Sequence, residues 1–165
     1  MTLAAGDQAT VMVTVPAAPS VAFDVFTRET DLWWRRGVRY RVAGRQPGTL
    51  AFEPKPGGRL FEQYDGPAGP RVHEAGRITI WEPPARLEFE WRGSNFGPGE
   101  VTYVLVTFVP TESGGTRVTV EHRGFAALRP DHPVRHGRDA AAFIRMIGSW
   151  WGDLLTALRI HVTPD

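Results

Sequence analysis

The sequence predicts an α+β domain, a curved antiparallel β-sheet of about six to seven strands wrapped around one long C-terminal helix, with two short helices after the first strand. Three observations predict it. The stretch Arg138–Ile160 repeats apolar residues at helical spacing. The region from Gly37 to His122 reads as short β-rich runs separated by turn residues. No repeat or change of composition divides the chain, so residues 1–165 are expected to form a single domain.

In chain order, Ala9–Val15 is β-branched and alternating, and Pro16 stops it because proline has no ladder donor. Ser20–Phe26 places Val21, Val25 and Phe26 on one helical face, and Pro19 suits the first helical position. A second short helix is expected over Thr30–Trp34. Strands are then expected over Val38–Val42, Thr49–Glu53, Arg59–Tyr64 and Val72–Trp81. The turn signals Pro54–Gly58 and Asp65–Pro70 separate them, the second as an exposed hairpin tip. Arg86–Arg92 sets Leu87, Phe89 and Trp91 against Glu88, Glu90 and Arg92, the pattern of a half-buried antiparallel strand. Val101–Val109 and Thr116–His122 complete the sheet, and Gly124–Gly137 is an irregular connection. In the final helix Phe143, Met146, Ile147, Trp150, Leu154 and Leu158 share a face that Ile144, Trp151 and Leu155 widen. The apolar arc covers roughly half the cylinder and needs a large concave partner. Asp139 suits the N-cap.

The totals exclude several functions. The net charge of +1 gives no basic face for nucleic acid. Of nineteen Lys and Arg, Lys55 is the one lysine, which reads as genome composition rather than anion binding. With no cysteine, thiolate catalysis and Cys-ligated metals are out. His132 and His136 are four apart with Pro133 between them, which argues against a helical metal pair, so no metal and no cofactor is expected. There is no Gly-x-Ser-x-Gly elbow, and Pro56-Gly57-Gly58 lacks a P-loop's Lys-Ser/Thr. No apolar run approaches the roughly 20 residues of a membrane span, and Met1–Gln8 lacks the basic and apolar parts of a signal peptide. The expectation is a soluble cytoplasmic protein without stable membrane insertion.

Four segments carry a resemblance: the opening strand with Pro19–Phe26, then Glu53–Arg59, Gly76–Trp91 and Gly115–Gly124. Ser149–Leu155 fits the closing helix of the same pattern. Together they make the chain similar to the START-like helix-grip (SRPBCC) superfamily over nearly its whole length. Within it, the chain resembles the bacterial branch related to the C-terminal domain of the activator of the heat-shock-protein-90 ATPase. The resemblance implies a cavity between helix and sheet that holds a small, mostly apolar ligand. It implies no single activity, since superfamily relatives include lipid carriers, hormone receptors and polyketide cyclases.

The residues supply candidates for such a site. His122 shares the inward face of its strand with Val118 and Val120. It is either a hydrogen-bonding or acid–base group of a cavity or a satisfied histidine at a strand's end. If Leu60 points inward, so do Glu62 and Tyr64, and a carboxylate there needs a partner, with His73 or His122 in reach. The alternative is a solvated edge carboxylate. Trp33, Phe89, Trp91 and Val104 from the first half and the sheet, with Phe143, Ile147, Trp150, Trp151 and Leu154 from the helix, are wall or ordinary core. The leading expectation is binding of a small hydrophobic or aromatic ligand rather than catalysis. Its rivals are a cofactor-independent cyclase or aromatase using His and Glu, and a stress-linked or chaperone-cofactor interaction module. A homodimer is a further possibility, because an exposed edge strand must be managed.

Overall fold

The β-branched run forms β1 (Gln8–Val15), and Pro19 opens α1 (Pro19–Arg28) at its first turn. α2 (Thr30–Trp33) follows. Then come β2 (Gly48–Phe52), β3 (Arg59–Gly66), β4 (Gly69–Glu82), β5 (Arg86–Trp91), β6 (Thr102–Pro110) and β7 (Thr116–Arg123). Two single 3₁₀ turns, Phe125–Ala127 and Pro133–Arg135, lead into α3 (Ala140–Val162). This computed structural model describes residues 7–165. The reading of Met1–Gly6 as part of a segment without a signal peptide lies outside the described residues.

All seven strands form one antiparallel sheet in the order β1-β7-β6-β5-β4-β3-β2. β2 to β7 is therefore a meander, and β1 pairs with its last strand. α1 and α2 carry the chain from the β1 edge to the β2 edge, and α3 packs against β1. This is the α+β helix-grip architecture that the sequence predicts.

Two irregularities in β4 bend the sheet. The pairing slips between Leu60↔Gly76 and Phe61↔Glu74, leaving Ala75 as an extra residue, and again between Ile78 and Ile80, leaving Thr79. Such bulges kink one strand and tighten its twist. At the first kink the backbones of β4 and β5 almost touch: a Cβ on residue 76 would lie 1.9 Å from the Glu90 carbonyl oxygen, so only glycine fits.

Alternation fills the concave side. Leu87, Phe89, Val104, Val106, Phe108, Val118, Val120 and His122 all point inward and are buried. α3 lays Phe143, Ile147, Trp151, Leu154, Leu155 and Leu158 on them. Asp139 caps that helix, accepting from the Ala142 N–H at 2.8 Å. α1 adds Ala22, Phe23, Val25 and Phe26, whereas Val21, assigned to that face from sequence, is half exposed.

One expected strand is absent. Val38–Val42 forms turns instead. Gly37 and Gly44 both have positive φ, and the Gly37 N–H donates to the Gly44 carbonyl, pinching off a loop. The buried Arg41 guanidinium, bonded to the Asp31 carboxylate and to the carbonyls of Asp31, Trp34 and Arg35, holds that loop against α2. Burial would raise the Asp31 pKa, but the Leu50 N–H and Arg41 overcome it and keep the carboxyl below its ordinary value.

Candidate functional site

A cavity of about 420 Å³ lies between the sheet and α3. That falls in the lower part of the range for small-molecule sites, roughly 300–1,000 Å³. Met146, Ile147 and Trp150 of α3 form its roof. The strands contribute Leu50, Glu62, His73, Ala75, Trp91 and His122. Val38 to Val42, the segment Gly93–Phe96, and Phe125, Val134 and His136 close the sides. The misread loop is thus one wall of the cavity, with Val38 89% exposed at its rim.

Trp34 packs behind this wall. It is buried, with its ring centroid 5.4–5.9 Å from those of Trp33, Trp91, Trp150 and Trp151. The loop wall is fixed to the roof at two points. The Trp150 Nε1–H donates to the Arg39 carbonyl at 2.6 Å, and the Tyr40 hydroxyl donates to Asp153 Oδ2 at 2.9 Å. The Tyr40 ring also lies nearly parallel to that of Trp150. Burial and the Asp153 carboxylate together raise the Tyr40 pKa, so the phenol stays protonated as a donor.

His122 sits at the inner end of the cavity in a closed chain of hydrogen bonds. The Trp151 Nε1–H donates to His122 Nδ1 at 3.0 Å. His122 Nε2 is 2.8 Å from Thr102 Oγ1, whose hydroxyl donates to the Trp91 carbonyl at 3.0 Å. An indole nitrogen is always a donor and a hydroxyl has one proton to give. The chain therefore fixes His122 as the neutral tautomer with its proton on Nε2. Burial pushes its pKa down to about 3. Both ring nitrogens are occupied, so the imidazole has no free atom to abstract a substrate proton.

Glu62 and His73 face each other across β3 and β4. They do not bond to one another. The Glu62 carboxylate accepts the Val42 N–H at 2.7 Å and the Ala43 N–H at 3.0 Å, and His73 Nε2 lies 3.3 Å from the Arg92 carbonyl.

Of the thirteen residues that the sequence offers, Glu62, His73, Trp91, His122, Ile147 and Trp150 lie on the cavity wall. Trp33, Phe89, Val104, Phe143, Trp151 and Leu154 do not; they are buried in the core that seals the remainder of α3 to the sheet. Tyr64 is half-buried one step further along β3, towards the hairpin tip, and is also off the wall. Sequence reasoning passed over Tyr40, Phe96, Phe125 and Met146. Tyr40 fell within a segment read as strand. Phe96 and Phe125 lie in or beside connections with no periodicity to assign a facing. Among the described residues no group of three or more His, Asp or Glu side chains could hold a metal ion. No helix there is long and apolar enough to cross a membrane.

A seven-stranded antiparallel sheet gripping a C-terminal helix, with a cavity between the two, defines the class: this is a START-like helix-grip protein. More narrowly, the chain belongs to the activator of Hsp90 ATPase homolog 1-like protein family, whose model matches residues 16–143. Solved structures share the fold at low identity. A protein from Mesorhizobium loti is 20% identical with a TM-score of 0.60, covering 92% of this chain and 93% of its own. An HSP90 activator from Plasmodium falciparum is 14% identical with a TM-score of 0.62, covering 93% and 94%. The Aha1 dimer from Colwellia psychrerythraea is 13% identical with a TM-score of 0.60, covering 94% and 95%. No match is found among curated proteins.

Proposed function

We propose that this protein binds a small hydrophobic or aromatic molecule between its sheet and α3. The observation that carries the reading is the cavity of about 420 Å³, whose walls are mainly aromatic and aliphatic with a few polar groups among them. That composition is the usual recipe of a small-molecule site: apolar area for affinity and few polar handles for orientation. Trp91, Trp150, Phe125 and Ile147 supply the area, and Glu62 and His73 the handles. Native mass spectrometry of protein purified from its own host tests this. A co-purified small molecule that disappears on unfolding supports the reading. Protein that comes out empty, and then takes up nothing from a broad lipid and aromatic library, refutes it.

The rival cyclase reading requires a free acid–base pair, and the engagement of both His122 nitrogens counts against it. The family description supports a second reading, contact with a chaperone. Exposed Leu32 and Ile160 beside a groove between α2 and α3 offer apolar surface for it. A pull-down that recovers no chaperone removes that reading. Dimerisation, the state named for the Colwellia relative, is checked by the mass of the intact protein in the same native spectrum.

A further inference from the structure

We infer that the cavity selects a hydrophobic amine, its protonated nitrogen against Glu62 and its apolar body against the aromatic wall. This rests on the ligand-binding reading above and adds the chemical class. Glu62 is 3% exposed and lies on the cavity wall. Each of its oxygens accepts one backbone N–H, from Val42 or Ala43. A carboxylate has about four acceptor positions, so each oxygen has capacity to spare. Among the described residues no Arg, Lys or His lies within ion-pair distance of it. Glu88, the other buried glutamate, pairs with Arg123 at 2.5 Å. Buried charge is costly unless it is paired, and Glu62 lacks the partner that Glu88 has.

The cations on the wall do not fill this gap. Arg41 spends its guanidinium on Asp31 and three backbone carbonyls. His73, directly across the strand pair, turns Nε2 to the Arg92 carbonyl. Arg39 and His136 are exposed at the rim. A ligand ammonium brings both the missing charge and N–H donors for the spare lone pairs. The indoles of Trp91 and Trp150 line the same space, and aromatic rings attract cations, whereas the Tyr40 ring is already taken by Trp150 and by the Arg35 and Arg39 guanidinium groups.

Arg39 at the rim points to the opposite class, an anion. The interior charge decides, because effective screening near a protein's interior is roughly fourfold weaker than in bulk water.

The test uses three probes of one shape, naphthylmethylamine, naphthylmethanol and naphthoic acid, titrated calorimetrically into the full chain at neutral pH. The amine is expected to bind about tenfold or more tightly than the alcohol, the effect of one charge-assisted hydrogen bond, and the acid most weakly. Glu62→Gln is expected to bring amine and alcohol to within about twofold, the charge-dependent part being gone. That variant also disturbs the acceptors for Val42 and Ala43, so the wild-type amine-to-alcohol ratio stands as an independent measurement. Equal binding of all three probes overturns the amine assignment and leaves the cavity reading intact. Tightest binding of the acid, lost in Arg39→Gln, overturns it in favour of an anion at the rim. Binding of none of the three overturns the amine assignment, and the cavity reading then stands or falls on the native mass spectrum and library screen above.

Discussion

Lowering the pH from about 7.5 to about 5 is expected to destabilise the fold by about 2 kcal/mol through one side chain, His122. The imidazole is 1% exposed and burial holds its pKa near 3, against an ordinary value of 6.5. Because the folded value lies below the unfolded one, the unfolded chain takes up the proton first. Stability from this group is therefore complete above about pH 6.5, falls as the pH drops, and levels off below about pH 3. At pH 5 the unfolded chain is about 1.5 units below its own pKa, and each unit corresponds to about 1.36 kcal/mol. Glu53, whose pKa Arg59 brings down to about 2, and Asp31 are depressed carboxylates, and they lose their contributions only at lower pH. Urea unfolding of wild type and His122→Gln at both pH values isolates the effect. With a slope of about 2 kcal/mol per molar, the wild-type midpoint should fall by about 1 M more than that of the variant. Nitrogen NMR should find the proton on Nε2 and not on Nδ1. Equal pH slopes in the two proteins would refute the buried, neutral assignment.

Three other outcomes follow from the same geometry. Trp150→Ala should abolish binding of whatever ligand native mass spectrometry identifies, and destabilise by about 2 kcal/mol, less than the roughly 3–5 for a fully buried tryptophan because its ring is only partly buried; unchanged binding and stability would sink the roof assignment. Gly152→Ala should stabilise by about 0.5–1 kcal/mol, read as a higher urea midpoint, since a Cβ there meets nothing within 4 Å inside α3. Gly76→Ala should cost about 3 kcal/mol, at the upper end of ordinary substitutions, because the added carbon collides with the Glu90 carbonyl; a melting temperature equal to wild type would mean that β4 and β5 are not pinched there.

The fold was legible because its signals are periodic. Strict alternation in β7 and the wide apolar arc of α3 each name a face, and burial follows them; in β5 it holds for Leu87 and Phe89, while Glu88 is buried as well through its pair with Arg123. Val38–Val42 was not legible for a physical reason. Its β-like composition is overruled by two glycines with positive φ and by Arg41, whose partners Asp31 and Trp34 lie in and beside a different element. The site was half legible. An inward face could be read for His122, but its engagement by Trp151 and Thr102 joins three separate segments, which no local pattern encodes. The same limit applies to the split of α3. Spacing places Phe143, Ile147, Trp150 and Leu154 on one broad face. Which part of it roofs a void and which part is packed solid depends on where the loop and the indole of Trp34 lie. Beside the paired tryptophans, Gly148 and Gly152 make no close packing: the nearest neighbour of a Cβ at Gly148 is Val11 at 4.0 Å, and one at Gly152 meets nothing within 4 Å.

The contact between Asp31 and Leu50 has a consequence for how molecules of this protein meet one another. β2 is the outermost strand on its side of the sheet, and an outermost strand offers open donors and acceptors to any passing β-segment. Here the Leu50 N–H is already taken by Asp31 Oδ1 at 2.9 Å, and the Gly48 carbonyl accepts from the Arg36 guanidinium at 3.4 Å. Side chains in and just after α2 thus occupy bonding positions that a second sheet would need for edge-to-edge growth. Strand addition at this border would first have to strip away a carboxylate and a guanidinium, so the same aspartate that fastens the cavity's loop also guards the sheet against polymerisation.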